Sequence, residues 1–411
     1  MRRVLVLEPD TEGHSQEWLQ HLMEFVATEA PNMAICLVAS PTLCEALAKV
    51  VPADARDRIQ LTALKPRELR WCTHRRLAIS AFARWWTMRR HLERSSADEG
   101  LFLSLDFLAL PLALGLGARG KPLAGILFRP SVHYCTLGRY RPSHAERLRD
   151  LRKDILYRLM LRNRALRAVL SLDPFFPLHA VSRYAHGDKV LALPDPAHSE
   201  IRSVACVSDI PDFVPPGRVG FLLFGHLTER KGPLVLLDAL RLLPGHIAAR
   251  AAVLFAGRID PAIREKIDSR RRNLAQAHPD LWIRIEDRRL DRAELDALVA
   301  RSHVVLAPYQ RFVGSSGVLL WAARAGRPVL AQDFGLIGRL TRDHCLGAVT
   351  DSSDPVRLSL TIRSMIERGP ATFIDRFSAE RFADSRTPFQ FSSIVLSHSF
   401  RGAELSRSAP T

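Results

Sequence analysis

At 411 residues, with 47% hydrophobic and 25% charged side chains, the chain is long enough for two globular domains and too apolar for a disordered polymer. It has no run of about 18 uninterrupted apolar residues, which argues against a membrane-spanning helix. Its formal charge of +16 calls for an anionic partner (a membrane surface, an acidic glycan or nucleic acid), unless the arginines are simply solvated.

In chain order, Met1-Arg2-Arg3 leads into a short apolar run, Val4 to Leu7, that Glu8 and Asp10 end at once. That is too short for a signal peptide and suits a first strand. Further strands are expected at Ala34–Val38, Leu101–Leu105, Gly125–Phe128 and Ala168–Leu172, then at Gly220–Phe224, Ala252–Ala256, Trp282–Glu286, Val304–Ala307 and Pro328–Ala331. Stretches with helical spacing, such as Pro233–Leu243 and Arg292–Ser302, lie between them. This alternation predicts parallel sheets built from βαβ units. Three prolines and a glycine within Ser208–Gly217 resist regular structure and mark a linker. The expected organisation is a first domain over 1–210, a second over 218–382 and a tail over 383–411. The six cysteines form no C-x-x-C pair, which gives no support to a metal or redox motif and suits a reducing cytoplasm.

The positive charge is concentrated. Residues 67–94 hold eight arginines against two glutamates, and residues 139–168 hold ten Arg or Lys against three acids. Within 67–94, Trp71, Ala78, Phe82, Trp85, Trp86 and Leu92 fall roughly on one helical face, with Arg70, Arg76, Arg84, Arg90 and Arg94 elsewhere and Arg75 and Arg89 interrupting the arc. Two readings follow: aromatics packed against the first domain's sheet, the one preferred, or a basic amphipathic helix on a membrane surface. No zinc finger, helix-turn-helix or aromatic-rich RNA motif accompanies the charge, so a nucleic-acid partner is not expected.

The second half carries the chemistry. Phe221 to Phe224 ends in Gly225-His226-Leu-Thr-Glu-Arg230-Lys231-Gly232-Pro233, a strand, a loop and a helix start, where Pro233 suits the first turn and Lys231 suits a phosphate. Val304-Val-Leu-Ala-Pro308-Tyr309 then leads to Gly314-Ser315-Ser316-Gly317, a second helix start with small residues and hydroxyls beside free N–H groups, and Gly326 stops that helix before Pro328-Val-Leu-Ala. Two phosphate-suited helix starts in one Rossmann-like domain suit a pyrophosphate.

These segments, together with Phe255-Ala-Gly257-Arg258 and Ala325-Gly326-Arg-Pro328-Val, resemble in order and spacing the C-terminal domain of the family-4 retaining glycosyltransferases over roughly residues 220–350. Glu12-Gly13-His14, Asp106, Arg129 to Tyr134 and Leu193-Pro-Asp-Pro196 are looser matches in the first half. The resemblance implies an α/β protein of GT-B architecture: two Rossmann-like domains facing a central cleft. It implies a nucleotide diphosphate-sugar donor held by His226, Lys231, Gly314, Ser315, Ser316 and Gly317. It implies acceptor or cleft positions at Gly13, His14, Asp106 and Arg129, with His133 and Lys231 as the catalytic candidates. Retention at the anomeric carbon, no required metal and no cofactor beyond the donor also follow from it. The chain departs from the family at three places: His226 stands where the family usually has Arg, and Val313 and Trp321 stand where it often has two glutamates eight positions apart. The second glutamate normally contacts the ribose, so ribose binding must differ here.

The reading is thus a glycosyltransferase acting on a glycan or lipid-linked acceptor in glycan biosynthesis. It would be cytoplasmic, with peripheral attachment to the inner membrane face as the option the basic helix raises. Its competitor is a non-catalytic GT-B-like binding or scaffold protein that has lost turnover, which Val313 and Trp321 favour and Lys231 and Gly314–Gly317 oppose.

Overall fold

Val4 to Leu7 are all buried, as a strand covered on both faces requires. In the computed structural model, which describes residues 1–11, 15–196 and 212–398, they form the centre of β1 (Arg2–Glu8). After it come α1 (Ser15–Thr28), β2 (Met33–Ala39), α2 (Pro41–Ala48), β3 (Ile59–Ala63), α3 (Pro66–Cys72), α4 (Leu77–Arg94), β4 (Glu99–Phe102), α5 (Ala109–Ala113), β5 (Leu123–Leu127), α6 (His144–Leu161), β6 (Leu166–Ser171), α7 (Phe176–Arg183) and β7 (Val190–Ala192). The seven strands form one parallel sheet in the order β3-β2-β1-β4-β5-β6-β7, a doubly wound arrangement. Trp18, Leu19, Leu22, Met23 and Val26 place the apolar face of α1 in the core on one side of this sheet, while Met88 and Leu92 of α4, Tyr157 and Met160 of α6 and Phe176 of α7 fill the core on the other.

The second unit runs through β8 (Val219–Phe224), α8 (Pro233–Arg241), α9 (Gly245–Ala248), β9 (Ala251–Ala256), α10 (Pro261–Ala277), β10 (Trp282–Glu286), α11 (Arg292–Arg301), β11 (Val304–Ala307), α12 (Val318–Arg324), β12 (Val329–Gln332), α13 (Gly335–Asp343), β13 (Gly347–Thr350), α14 (Pro355–Arg368) and α15 (Arg376–Asp384), followed by α16 (Pro388–His398). Its six strands are parallel in the order β10-β9-β8-β11-β12-β13. The expected α/β class and the two Rossmann-like domains are therefore observed.

The chain divides less simply than expected. The first unit comprises 1–133, 142–196 and 386–411; the second takes 134–141 and 197–385. The expected tail over 383–411 contains the last two residues of α15 and all of α16. Phe391, Val395 and Leu396 of α16 lie in the first unit's core, with Phe391 5.0 Å from the Trp18 ring. The expected linker at Ser208–Gly217 lies partly outside the described residues. Inside the second unit, Gly138 bridges Phe334, and the Tyr140 ring stacks on Phe334 at 5.3 Å.

Three strands had no counterpart in the sequence reading: β3, β7 and β13. Each is an edge strand, short and covered less fully than the central ones, so none shows a continuous apolar run. The strand expected at Leu101–Leu105 stops at Phe102, and Leu105 to Phe107 form a single helical turn instead.

The segment 67–94 is two helices, α3 and α4, and its buried face is not the aromatic one. Ser80, Ala81, Arg84, Thr87, Met88, His91 and Leu92 face inward, while Trp71, Phe82 and Trp86 are exposed. Trp85 alone of the tryptophans there packs against the core, donating to the Gly117 carbonyl at 3.1 Å. The exposed aromatics contradict the preferred packing reading. Arg84, expected among the solvated cations, is buried. Its guanidinium donates to both Asp10 carboxylate oxygens at 2.8 and 3.0 Å, and to the Cys72 carbonyl at 3.0 Å. It tethers the loop after β1 to α4.

Removing Arg84 leaves Asp10 and the polar ends of α3 without their partner. Arg84→Ala is expected to lower unfolding stability by about 3 kcal/mol in a urea titration. Burial pushes Glu8 up to about 7 from 4.5. The folded state therefore holds this proton to higher pH than the unfolded chain, and stability falls as pH rises from about 4.5 to about 7. Glu8→Gln should be indistinguishable from wild type below that window and more stable above it by on the order of 3 kcal/mol, read from unfolding midpoints across pH.

Candidate functional site

In a doubly wound sheet the connections leave in opposite directions at one point, and a crevice opens beyond the strand ends there. In the second unit that point lies between β8 and β11. Lys231, in the turn before α8, occupies it. Its ammonium donates to the Phe224 carbonyl at the end of β8 (3.1 Å) and to the Tyr309 hydroxyl beyond β11 (2.8 Å), and it lies 4.8 Å from the Tyr309 ring centroid. Tyr309 Oη is 3.0 Å from Ser316 Oγ. Lys231, Tyr309 and Ser316 thus form one polar chain across the switch point, and Tyr309, buried to 1% exposure, is its centre.

The loops around this chain are held tightly. Gly232 has φ +77°, and a Cβ there would meet the Pro308 carbonyl oxygen at 2.1 Å. Gly257, with φ +132°, lets the chain after β9 lie against the Gly225 carbonyl. Gln310 links the same region by donating to the Pro308 and Ser352 carbonyls, and its own amide donates to the Arg230 carbonyl. Gly317 differs: its φ of −57° is ordinary, and nothing lies within 4 Å of the place a Cβ would take. The protein's own packing does not require a glycine there.

Beside Gly225 opens a pocket of about 380 Å³, lined by Gly225, His226, Gly257, Arg258, Arg288, Arg289, Leu290 and Leu295. Asp287, next to Arg288 in the chain, accepts from the Ile259 amide at 2.8 Å and pairs with Arg264. Arg288 is tied to Glu286 and Glu294 at 3.2 and 2.7 Å. The pocket combines apolar side chains with arginine edges and adjoins Gly225, whose neighbour on its other side is Lys231.

Of the expected donor residues, the structure brings Lys231 and Ser316 together through Tyr309 and places His226 on the pocket. Ser315 and Gly317 are half-buried and Gly314 is buried, in the loop that ends where α12 begins. Val313 is half-buried, and Trp321 sits edge-on to Phe224 at 6.3 Å, an aromatic contact where the family often has a carboxylate. Tyr309 was quoted in the motif but not assigned a role, and the pocket arginines after β10 were not singled out. Their signal was positional: both follow the carboxyl ends of strands.

Gly13 and His14 lie outside the described residues. Asp106 accepts from the Phe128 amide at 2.8 Å, and burial raises its carboxyl above the usual range; it holds the end of β5 in place. Arg129 is exposed, and its carbonyl accepts from Lys153 at 3.0 Å. His133 is only 3% exposed; its Nε2 is 2.7 Å from Asp173, and its ring stacks on His179 at 5.2 Å. This is an enclosed pair. The neighbouring His179 is held below the ordinary histidine range, chiefly by burial and also by the His133 ring.

Two substitutions separate the polar chain from its scaffold. Tyr309→Phe keeps the ring and removes the hydroxyl that joins Lys231 to Ser316, so binding of a diphosphate probe, read by calorimetry, should weaken about fivefold with the thermal midpoint nearly unchanged. Gly317→Ala should shift unfolding stability by no more than about 0.5 kcal/mol, because the added methyl meets nothing, while it crowds any anion approaching the start of α12.

Residues 218–368, from the start of β8 to the end of α14, match the family described as "Glycosyl transferases group 1". No curated protein matches the sequence. Among solved structures, the chain is similar to HepE from Anabaena in complex with UDP (TM-score 0.66, 14% identity, covering 97% of this chain and 99% of that one). It is also similar to WaaG, a glycosyltransferase involved in lipopolysaccharide biosynthesis (0.61, 15%, 96% and 99%), and to sucrose-phosphate synthase from Thermosynechococcus elongatus (0.64, 14%, 97% and 97%). At these identities the likeness establishes the fold. Residues 218–368, less than half of the chain, thus match the group 1 glycosyl transferases, and the chain as a whole has the fold of the GT-B glycosyltransferases.

Proposed function

We propose that this protein is a glycosyltransferase that moves a sugar from a nucleotide diphosphate-sugar to a glycan or lipid-linked acceptor, with retention, in glycan biosynthesis. The observation that carries the reading is the Lys231–Tyr309–Ser316 chain at the switch point of the second sheet, next to the Gly225 pocket. The pocket's volume of about 380 Å³ suits a nucleoside, with Leu290 and Leu295 against the base and arginines at its rim. A diphosphate running from that pocket past Gly225 reaches Lys231 and the open space at Gly317. Lys231 and His226 then meet the charge that develops on the leaving diphosphate, which is where fixed positive groups lower a barrier. No required metal ion and no further cofactor belong to this reading. HepE, a structural neighbour, binds UDP and UDP-glucose, which supports the donor class. His133 enters as a positioning residue through its pair with Asp173, and Gly13, His14, Asp106 and Arg129 as acceptor-side positions. The reading places the protein in the cytoplasm.

A second reading, a binding or scaffold protein without turnover, is favoured by Val313 and by Trp321 packed on Phe224 in place of the family's glutamates. Thermal shift with UDP, GDP, ADP and their sugar conjugates, without added metal, separates the cases. A ligand bound only by the folded state at a hundredfold excess over its Kd adds about 2.7 kcal/mol. One nucleotide should raise the midpoint, Lys231→Ala should cost roughly 1.5–3 kcal/mol of that affinity, and its sugar conjugate should be hydrolysed or transferred at a rate EDTA leaves unchanged. Binding without turnover selects the second reading; no shift with any nucleotide overturns the donor site.

A further inference from the structure

The second unit holds a larger cavity than the Gly225 pocket. It measures about 590 Å³ and opens at the β13 edge of the sheet, beyond the carboxyl ends of β12 and β13, with α13 and α14 beside it. Crevices beyond strand carboxyl ends are where such sheets take ligands. Every residue that lines it belongs to this unit, including Gly138 and Arg139 of the segment 134–141. None of them belongs to the Lys231 chain or to the Gly225 pocket.

Three arginines line it. Gly138 has φ +111°, and a Cβ there would meet the Asp333 carbonyl oxygen at 2.6 Å, so a glycine is needed to lay this segment against the start of α13 and bring Arg139 to the cavity. Arg342 comes from α13 and Arg357 from α14. Among the described residues neither Arg139 nor Arg342 pairs with a carboxylate; Arg342 donates to the Asp333 carbonyl at 2.9 Å, which uses one of its five donors. Arg357 lies 3.5 Å from Asp354, an exposed and therefore weak pair. Two carboxylates line the same space. That of Asp333 accepts no hydrogen bond among the described residues, while Asp351 Oδ1 accepts from the Ser353 amide and hydroxyl. The walls are fixed in advance. Asp351 leads into Ser352, fully buried, whose hydroxyl donates to the Tyr309 carbonyl at 2.8 Å and whose carbonyl accepts from Gln310 at 2.7 Å. Next to Asp333, the Gln332 amide donates to the Phe312 carbonyl at 3.1 Å.

We propose that this cavity is a second ligand site and takes a phosphorylated sugar. A phosphate monoester carries roughly −1.5 to −2 charges on three acceptor oxygens, which suits several guanidinium forks around one space better than a single carboxylate does. The Asp333 and Asp351 carboxylates suit sugar hydroxyls, which donate to them, and Leu360 offers an apolar edge to the C–H face of the ring. A bare anion would leave both carboxylates unused and opposed to it, and a neutral sugar would leave the arginines unused. No aromatic ring lines the cavity, so it gives a nucleobase nothing to stack on. Because its walls are already bonded in place, the ligand meets a formed site and does not have to order one. The site shares no lining residue with the donor chain, so this inference goes beyond the proposed donor chemistry and stands or falls separately from it.

The test is calorimetry on the full-length chain with glucose 1-phosphate, glucose 6-phosphate and mannose 6-phosphate, against glucose and inorganic phosphate. At least one sugar phosphate should bind, inorganic phosphate about tenfold or more weakly, and glucose not measurably. Arg342→Gln with Arg357→Gln should lower the sugar phosphate's affinity about tenfold or more with the thermal midpoint nearly unchanged, since both side chains are exposed. Asp333→Asn should weaken the sugar phosphate and tighten inorganic phosphate, because it removes a hydroxyl acceptor and a repelling charge together. Lys231→Ala should bind the sugar phosphate as the wild type does. Binding of none of the three sugar phosphates, or undiminished binding in the double arginine variant, overturns the proposal. Inorganic phosphate binding as tightly as the sugar phosphates reduces the site to a general anion surface and overturns it too. Loss of binding in Lys231→Ala would move the ligand to the switch point and likewise overturn it.

Discussion

The separation of β8 from β11 beyond their last residues is the constraint on which the second unit's site depends. Two connections leave that point in opposite directions, so no backbone fills the gap, and the carbonyl ends of two strands face it. Lys231 fills it from the side. Its ammonium uses the Phe224 carbonyl and the Tyr309 hydroxyl as supports, and Ser316 completes the line. The glycines of the region serve this geometry: Gly232 admits the Pro308 carbonyl and Gly257 admits the Gly225 carbonyl, each at a distance no side chain permits. A cation held on two oxygens at the mouth of a pocket is preorganised, so it meets a bound anion without first being ordered.

The first unit repeats the architecture with a different emphasis. Its strand ends are occupied by buried polar pairs: Arg84 with Asp10, and His133 with Asp173. These hold loops in place by charged hydrogen bonds in which Arg84, His133 and Asp173 are buried, so that a missing partner is costly. Arg84 shows how far charge counting can mislead. It sits in one of the two most basic segments of the chain, yet its work is internal.

The basic segments therefore have different fates. In 67–94 the arginine count includes a buried tether, and the exposed aromatics lie on the side that sequence spacing assigned to the core. In 139–168 Glu146 and Asp154 lie against Arg149 and Arg158 of α6 itself, while Leu148, Leu151, Ile155 and Leu159 stay on its outward face. The same composition yields a structural ion pair in one helix and a cationic apolar surface in the other, depending on which side of each helix the sheet takes.

Much was legible without coordinates. The central strand Val304–Ala307 was readable to the residue, because a strand buried on both faces must be a continuous apolar run. The Lys231 turn and the Gly314–Gly317 loop were readable because helix starts beside strand ends need particular residue types. The edge strands β3, β7 and β13 were not, since partial burial removes the pattern. Nor were the roles of α16, Tyr309 and Arg84. Each depends on a partner 70 or more positions away (Trp18 to Phe391, Lys231 to Tyr309, Asp10 to Arg84), and only the packed chain brings such residues together. Sequence determined which segments must be covered and where a phosphate could be met. Tertiary structure decided what covers them, because a helix with two apolar faces can bury only one against its own sheet.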